Sequence, residues 1–179
     1  MSALRSDAAR SRSRILEVAK SHNVHDLRLN DVARDAGVGV GTVYRHFPNV
    51  QVLVEALTVD TIERLLEVSR LAGAEPDPTL AFARYLRSAL TLLLEFDGLQ
   101  HVLLSPADET DEIRGAKEEI FSTFTVVLEN AKDVGAVRKD LTLDQISHLA
   151  CGIEYAVRLG SPDDRERFLD VLLAGVRPS

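Results

Sequence analysis

The sequence predicts an all-α protein, with a three-helix head followed by a larger helical body and about nine helices in all. Three observations predict it. Alternating β-branched runs between turns, the signature of strands, are missing. Apolar residues recur at helical spacing along most of the chain, as in Leu80, Ala83, Leu86, Leu90 and Leu93, or Ile113, Ala116, Ile120, Phe124, Val127 and Ala131. The breaks between these stretches carry helix stop and start chemistry.

Taken in order, helices are expected at roughly 7–21, 28–35, 40–46, 50–72, 78–96, 99–105, 109–133, 142–159 and 163–176. Asp26 is the candidate cap for the second helix, because Arg28 occupies the usual capping position. Ala36-Gly37 separates the second helix from the third, and Pro48-Asn49 ends the third and caps the fourth. Pro76-Asp77-Pro78 is a stiff break whose second proline suits a first helical turn. Gly160-Ser161-Pro162 is a glycine stop followed by a proline start. In the last two helices Ala150, Gly152 and Ala156 permit close approach of a neighbour. Ile146, Leu149, Ile153 and Val157, with Phe168, Leu172 and Val176, are the candidate face for pairing with a second copy in a four-helix bundle.

Composition bounds the function. The 179 residues are 45 % hydrophobic and 27 % charged, enough for a core and too varied for a low-complexity chain. No apolar run reaches membrane-span length, and the charged, apolar-poor first residues do not read as a secretory signal. The lone Cys151 fits a reducing cytoplasm. The net charge of −7 is unevenly spread: residues 1–50 hold 8 Lys and Arg against 5 acids, a balance of +3, and the remainder holds 13 against 23, a balance of −10. A basic head on an acidic body is the pattern expected when only the head meets phosphates.

The segment Leu29 to Phe47 carries the chemistry. Ala33 is small where two short helices cross, Gly37 four residues on can take a left-handed turn, Val38 fills the corner, and Val43 anchors the second helix from inside. That skeleton is a helix-turn-helix for duplex DNA. With Val43 and Phe47 pointing inward, the outward face offers Val40 and Gly41 for close approach, Thr42 and Tyr44 for phosphate oxygens, Arg45 for a guanine edge and His46 for a base or phosphate. Arg12, Arg14, Arg28 and Asn49 are the further candidate DNA contacts, and Arg10 extends the upstream cluster.

This segment resembles the DNA-binding head of the TetR family. The matching residues are Ile15-Leu16, Asp31-Val32-Ala33, and Ala36 through Phe47. Gly135 to Ile146 and Asp164 to Pro178 resemble the family's usual approach to its last two helices. The resemblance implies an all-helical homodimer, usually a repressor, whose body binds a small molecule and whose fourth helix moves in response. The chain departs from the pattern in three places. Val50 stands where the family has a Lys that meets a phosphate, with Asn49 and Gln51 as neighbours able to substitute. The stretch from Glu17 to Asn30 is short, and Arg28 replaces a capping Ser or Thr.

Other readings of the same residues are weaker. Gly37, Gly39 and Gly41 lack the preceding strand of a nucleotide loop. His22, His25 and Asp26 lack a second cluster to complete a metal site. Cys151 on an apolar helix reads as a packed thiol. No spacing suggests a catalytic pair, so no enzyme activity and no cofactor are expected. Candidate effector contacts are polar or aromatic residues on apolar helices: Tyr85, Gln100, His101, Phe121, Phe124 and Tyr155, with Arg87, His148 and Arg158 beside them. The expectation is a cytoplasmic regulator with a head at residues 1–49 and an effector-binding and dimerising body at 50–179. Its partners would be a palindromic duplex operator, a small-molecule effector and a second copy of itself, with no membrane. The alternative is a helical ligand carrier or co-regulator whose DNA binding is weak or lost.

Overall fold

The computed structural model describes residues 2–178, with side chains from Asp7 onward. Met1 and Ser179, the outer ends of the two expected domains, lie outside the described residues, as does the Arg5 side chain. The described residues form α1 (Ser2–Ala19), α2 (Leu29–Ala36), α3 (Val40–His46), α4 (Val50–Ala74), α5 (Pro78–Glu95), α6 (Asp97–Leu104), α7 (Asp111–Asp133), α8 (Leu143–Leu159) and α9 (Asp164–Gly175), with no strand among them.

The caps explain most of the boundaries. The Asn49 side chain accepts from Val52 N at 2.9 Å, which starts α4. The Asp77 carboxylate accepts from Thr79 N and Leu80 N at 2.9 and 3.2 Å over the Pro78 start of α5. Thr142 and Gln145 form a reciprocal capping box at α8, with Thr142 Oγ1 accepting from Gln145 N and Gln145 Oε1 accepting from Thr142 N. Asp26 does not cap α2. It lies in a short 3₁₀ turn, Val24–Asp26, capped by Asn23, and the Arg28 side chain makes no capping bond either. This turn is how the short connection works, because it buries Val24 and Leu27 and packs on α6.

Helices α1 to α3 form the head around Ile15, Ala19, Val32, Ala33, Val43 and Phe47. Helix α4 runs from the head into the body, packing on α1 at one end and on α5, α6 and α7 beyond it. Its 25 residues span roughly 37 Å. Polar residues buried along it are satisfied locally: Thr58 donates to Val54 O and Ser69 to Leu65 O. Helices α8 and α9 pack on each other and on α5. Four residues expected at a dimer face, Ile146, Val157, Leu172 and Val176, are instead buried within the chain, because α8 and α9 bury one side of each against their own neighbours. Leu149 remains exposed, and Ile153 and Phe168 are half-buried. No described helix is long and apolar enough to cross a membrane.

Candidate nucleic-acid interface and effector cavity

The turn between α2 and α3 is built on Gly37. Its φ of 62° places it in the left-handed region, where a side chain would be strained. The turn closes through Gly37 N donating to Arg34 O at 3.1 Å and Val38 N donating to Ala33 O at 3.0 Å. Gly39 then caps α3 in extended conformation, with Thr42 N donating to Gly39 O at 2.8 Å. The inward residue Val43 is 0 % exposed, whereas Val40 and Tyr44 on the other side are 46 % and 47 % exposed. Nothing crowds Gly41. Arg45 folds along its own helix: Nε donates to Gly41 O and Nη2 to Thr42 Oγ1, both at 3.1 Å. His46 is half-buried with its ring tilted against Phe47.

The basic residues of α1 frame this helix. The Arg12 guanidinium stacks 5.4 Å from the centre of the Phe47 ring, at the end of α3. Arg14 reaches over the turn, with a guanidinium nitrogen 3.2 Å from where a Gly37 Cβ would stand. Arg28 is exposed at the start of α2. The Asn49 oxygen is engaged as a cap, which leaves its amide nitrogen for an outside acceptor. Gln51 is not available in place of the family's lysine. Its nitrogen donates to Glu55 Oε1 at 3.0 Å, and its oxygen lies 3.1 Å from His101 Nε2.

That last pair belongs to a network that ties the head end of α4 to the body. His101 on α6 also meets the His25 ring edge-on, at 6.5 Å between centroids. The fully buried Glu55 carboxylate accepts from Glu109 N at 2.9 Å, Thr110 N at 3.0 Å and Thr110 Oγ1 at 2.7 Å. Burial pushes this carboxyl up, but the hydrogen bonds from Glu109, Thr110 and Gln51 outweigh it and hold the group below the usual carboxylate range. From the other side, Lys117 Nζ donates to Val102 O, Ser105 O and Asp108 Oδ1 at 2.9, 3.0 and 2.7 Å. The connection from α6 to α7 is thus pinned by α4 and α7 together. Helix α7 begins at Asp111, directly after Glu109 and Thr110, whose backbone N–H groups donate to Glu55.

A cavity of about 530 Å³ lies between α4, α5, α6, α7 and α8, within the usual range for a small-molecule site. Three of the expected effector residues line it: Tyr85, Phe121 and Phe124. Tyr85 stacks on Phe124 with centroids 4.0 Å apart, and burial raises its hydroxyl well above the ordinary phenol range against a bond to Ser69. Gln100, His101 and Tyr155 do not line it. His101 is held by Gln51, Gln100 is on α6 away from the walls, and Tyr155 points outward at 63 % exposure. Arg87 pairs with Glu166, and Arg158 pairs with Glu154 on its own helix and ties α8 to Asp97 and the carbonyl of Leu93. Of the secondary candidates His148 does line it, joined by Asp144, Ser147 and Cys151, which were not among the expected residues. The i, i+3, i+4, i+7 spacing of these four on α8 was the available signal. Burial pushes the Cys151 thiol up to about 11, with Glu154 adding to it, so the group stays a protonated, unreactive thiol. His22 Nε2 lies 3.2 Å from Asp35, and no group of three or more metal-ligating side chains forms among the described residues.

Comparison with known proteins gives a consistent answer. Residues 13–70 match the model of the bacterial regulatory proteins of the tetR family, and residues 77–178 match the SbtR-like transcriptional regulator C-terminal domain. No curated protein matches the chain. Among solved structures, a TetR transcriptional regulator from Streptomyces coelicolor is 29% identical, with 94% of this chain and 99% of that chain covered and a TM-score of 0.54. Two others share the fold at lower identity. PfmR from Thermus thermophilus is 17% identical, covering 92% of this chain and 100% of its own, with a TM-score of 0.61. FadR from Bacillus subtilis, solved with stearoyl-CoA, is 18% identical, covering 92% and 97%, with a TM-score of 0.56. The C-terminal model alone spans more than half of the chain and the head model fits the helix-turn-helix described above, so the protein belongs to the TetR family and is a ligand-responsive, DNA-binding transcriptional regulator.

Proposed function

We propose that the chain is a homodimeric repressor that leaves a palindromic operator when a small molecule occupies the cavity. The observation that carries the reading is the two-sidedness of α3: Val43 is sealed in the core, while Val40, Gly41, Tyr44 and Arg45 face outward. In this reading α3 enters the major groove. Arg45 reads a base edge, Thr42, Tyr44 and His46 meet phosphate or base, and Arg12, Arg14, Arg28 and the Asn49 amide hold the backbone. The boundary between head and body is placed between Asn49 and Val50, at the cap of α4.

The second copy docks on α8 and α9, where Leu149, Tyr155, Leu159 and Val171 are exposed apolar residues on a protein with ample polar surface elsewhere. Two-fold pairing puts the half-site centres about 34 Å apart or somewhat more. In this reading the protein works in the cytoplasm as a regulator rather than as an enzyme.

Selection of the purified protein against a randomised duplex library, at two salt concentrations, tests the proposal. A palindrome should be enriched, and its binding should weaken steeply with salt. Enrichment of nothing, with only weak salt-sensitive binding, would overturn sequence reading by α3 and leave a ligand-binding protein of the same fold.

A further inference from the structure

The cavity is apolar except along one strip. Its walls on α5 and α7 include Leu86, Leu93, Ile120, Phe121 and Phe124, whereas its polar groups come mainly from one face of α8. Among the described lining side chains Asp144 is the only one with a full charge, and no Lys or Arg is present. Among the described residues Asp144 makes neither an ion pair nor a hydrogen bond through its side chain. At the positive end of α8 the capping box of Thr142 and Gln145 occupies Gln145 N, and the Asp144 carboxylate in the same turn sets a negative charge against that end. The neighbouring Cys151 thiol stays neutral, and the body beyond residue 50 carries a balance of −10. The one acidic side chain at this strip therefore faces no Lys or Arg across the cavity.

Resting on the reading that this cavity is the effector site, we propose that the effector is an apolar molecule ending in a cationic nitrogen. Its hydrocarbon lies against Phe121 and Phe124, and its ammonium meets the Asp144 carboxylate. An anionic amphiphile of the same length would bring a like charge to Asp144 with no cation to offset it.

Three probes of one chain length separate the possibilities: octylammonium, octanol and octanoate, titrated by calorimetry into the full chain at neutral pH, where the first is a cation and the last an anion. Octylammonium should bind at least about tenfold more tightly than octanoate, because the exposed Asp144 carboxylate at the cavity wall attracts the one headgroup and repels the other. Asp144→Asn should bring that ratio close to one, and Asp144→Lys should reverse it, with a melting curve for each variant to show that it folds. Octanoate binding as tightly as octylammonium, or a ratio unchanged in folded Asp144→Asn, would overturn the cationic assignment. The cavity reading has its own test in Ala89→Trp, which fills the space from α5. Octanol binding that survives in a folded Ala89→Trp protein, or no binding of any probe to the unaltered chain, would overturn the site and the ligand class together.

Discussion

Arg45 is held to its own helix through Gly41 O and Thr42 Oγ1 without any DNA. The contacts are exposed and local, so a guanine edge can replace them at little cost. Arg45→Ala is therefore expected to lose about 1–3 kcal/mol of discrimination at a single operator position. Tyr44→Phe removes the exposed hydroxyl proposed to meet a phosphate and should weaken all duplexes alike. Fluorescence anisotropy on an operator and its single-base variants checks both, and equal losses on every sequence for Arg45→Ala would show that it meets only backbone. At Val50 the family's lysine is replaced by an apolar side chain that packs against the core, and Gln51 is committed to Glu55 and His101. Of the two neighbours only the Asn49 amide nitrogen is left for the phosphate contact proposed at the start of α4.

Helix α4 joins the two functions. Its first turns hold Gln51 and Glu55, which grip α6 and the connection to α7, and α6 in turn supplies Leu103 and Leu104 to the cavity. A ligand that shifts α6 would thus pull on α4 directly after the reading helix. Glu55→Gln keeps the shape but removes the charge and one acceptor from a group that receives four hydrogen bonds. It should cost roughly 1.5–3 kcal/mol in urea denaturation and loosen the coupling between effector and operator. Because the folded-state pKa of Glu55 is depressed, its contribution is fully present above the ordinary carboxylate range and is lost as the pH falls through the lower folded value. Denaturation curves taken from neutral to acid pH should show the unaltered chain losing stability faster than Glu55→Gln. Parallel curves would mean that other carboxylates set the acid limb.

For the whole molecule, the proposed dimer rests on the exposed apolar side chains of α8 and α9. Tyr155 and Leu159 are 63 % and 73 % exposed, unusual for residues of their size on a surface that faces only water. Tyr155→Glu combined with Leu159→Glu should leave the fold intact and give a monomer in sedimentation. Because two heads on one operator gain from each other's presence, the monomer should bind the operator at least about a hundredfold more weakly. A double variant that still sediments as a dimer would move the interface elsewhere.

Local chemistry determined much of this protein. Ala33, Gly37 and Val43 set the turn, and Asn49, Asp77 with Pro78, and Thr142 with Gln145 set helix starts, because caps and left-handed turns need particular residues close together in the chain. The periodicity of apolar residues gave the all-α class for the same reason. Only the tertiary structure decided how each apolar stripe is shared. Ile146, Val157, Leu172 and Val176 fall in the core, while Tyr155, Leu159 and Val171 stay outside, since a helix packed on two sides hides its own surface regardless of which residues look suited to a partner. His101 binds Gln51, 50 positions away, and Glu55 reaches Thr110, 55 positions away, pairings that no local pattern encodes. The polar strip of Asp144, Ser147, His148 and Cys151 becomes a cavity wall only when four other helices close around it.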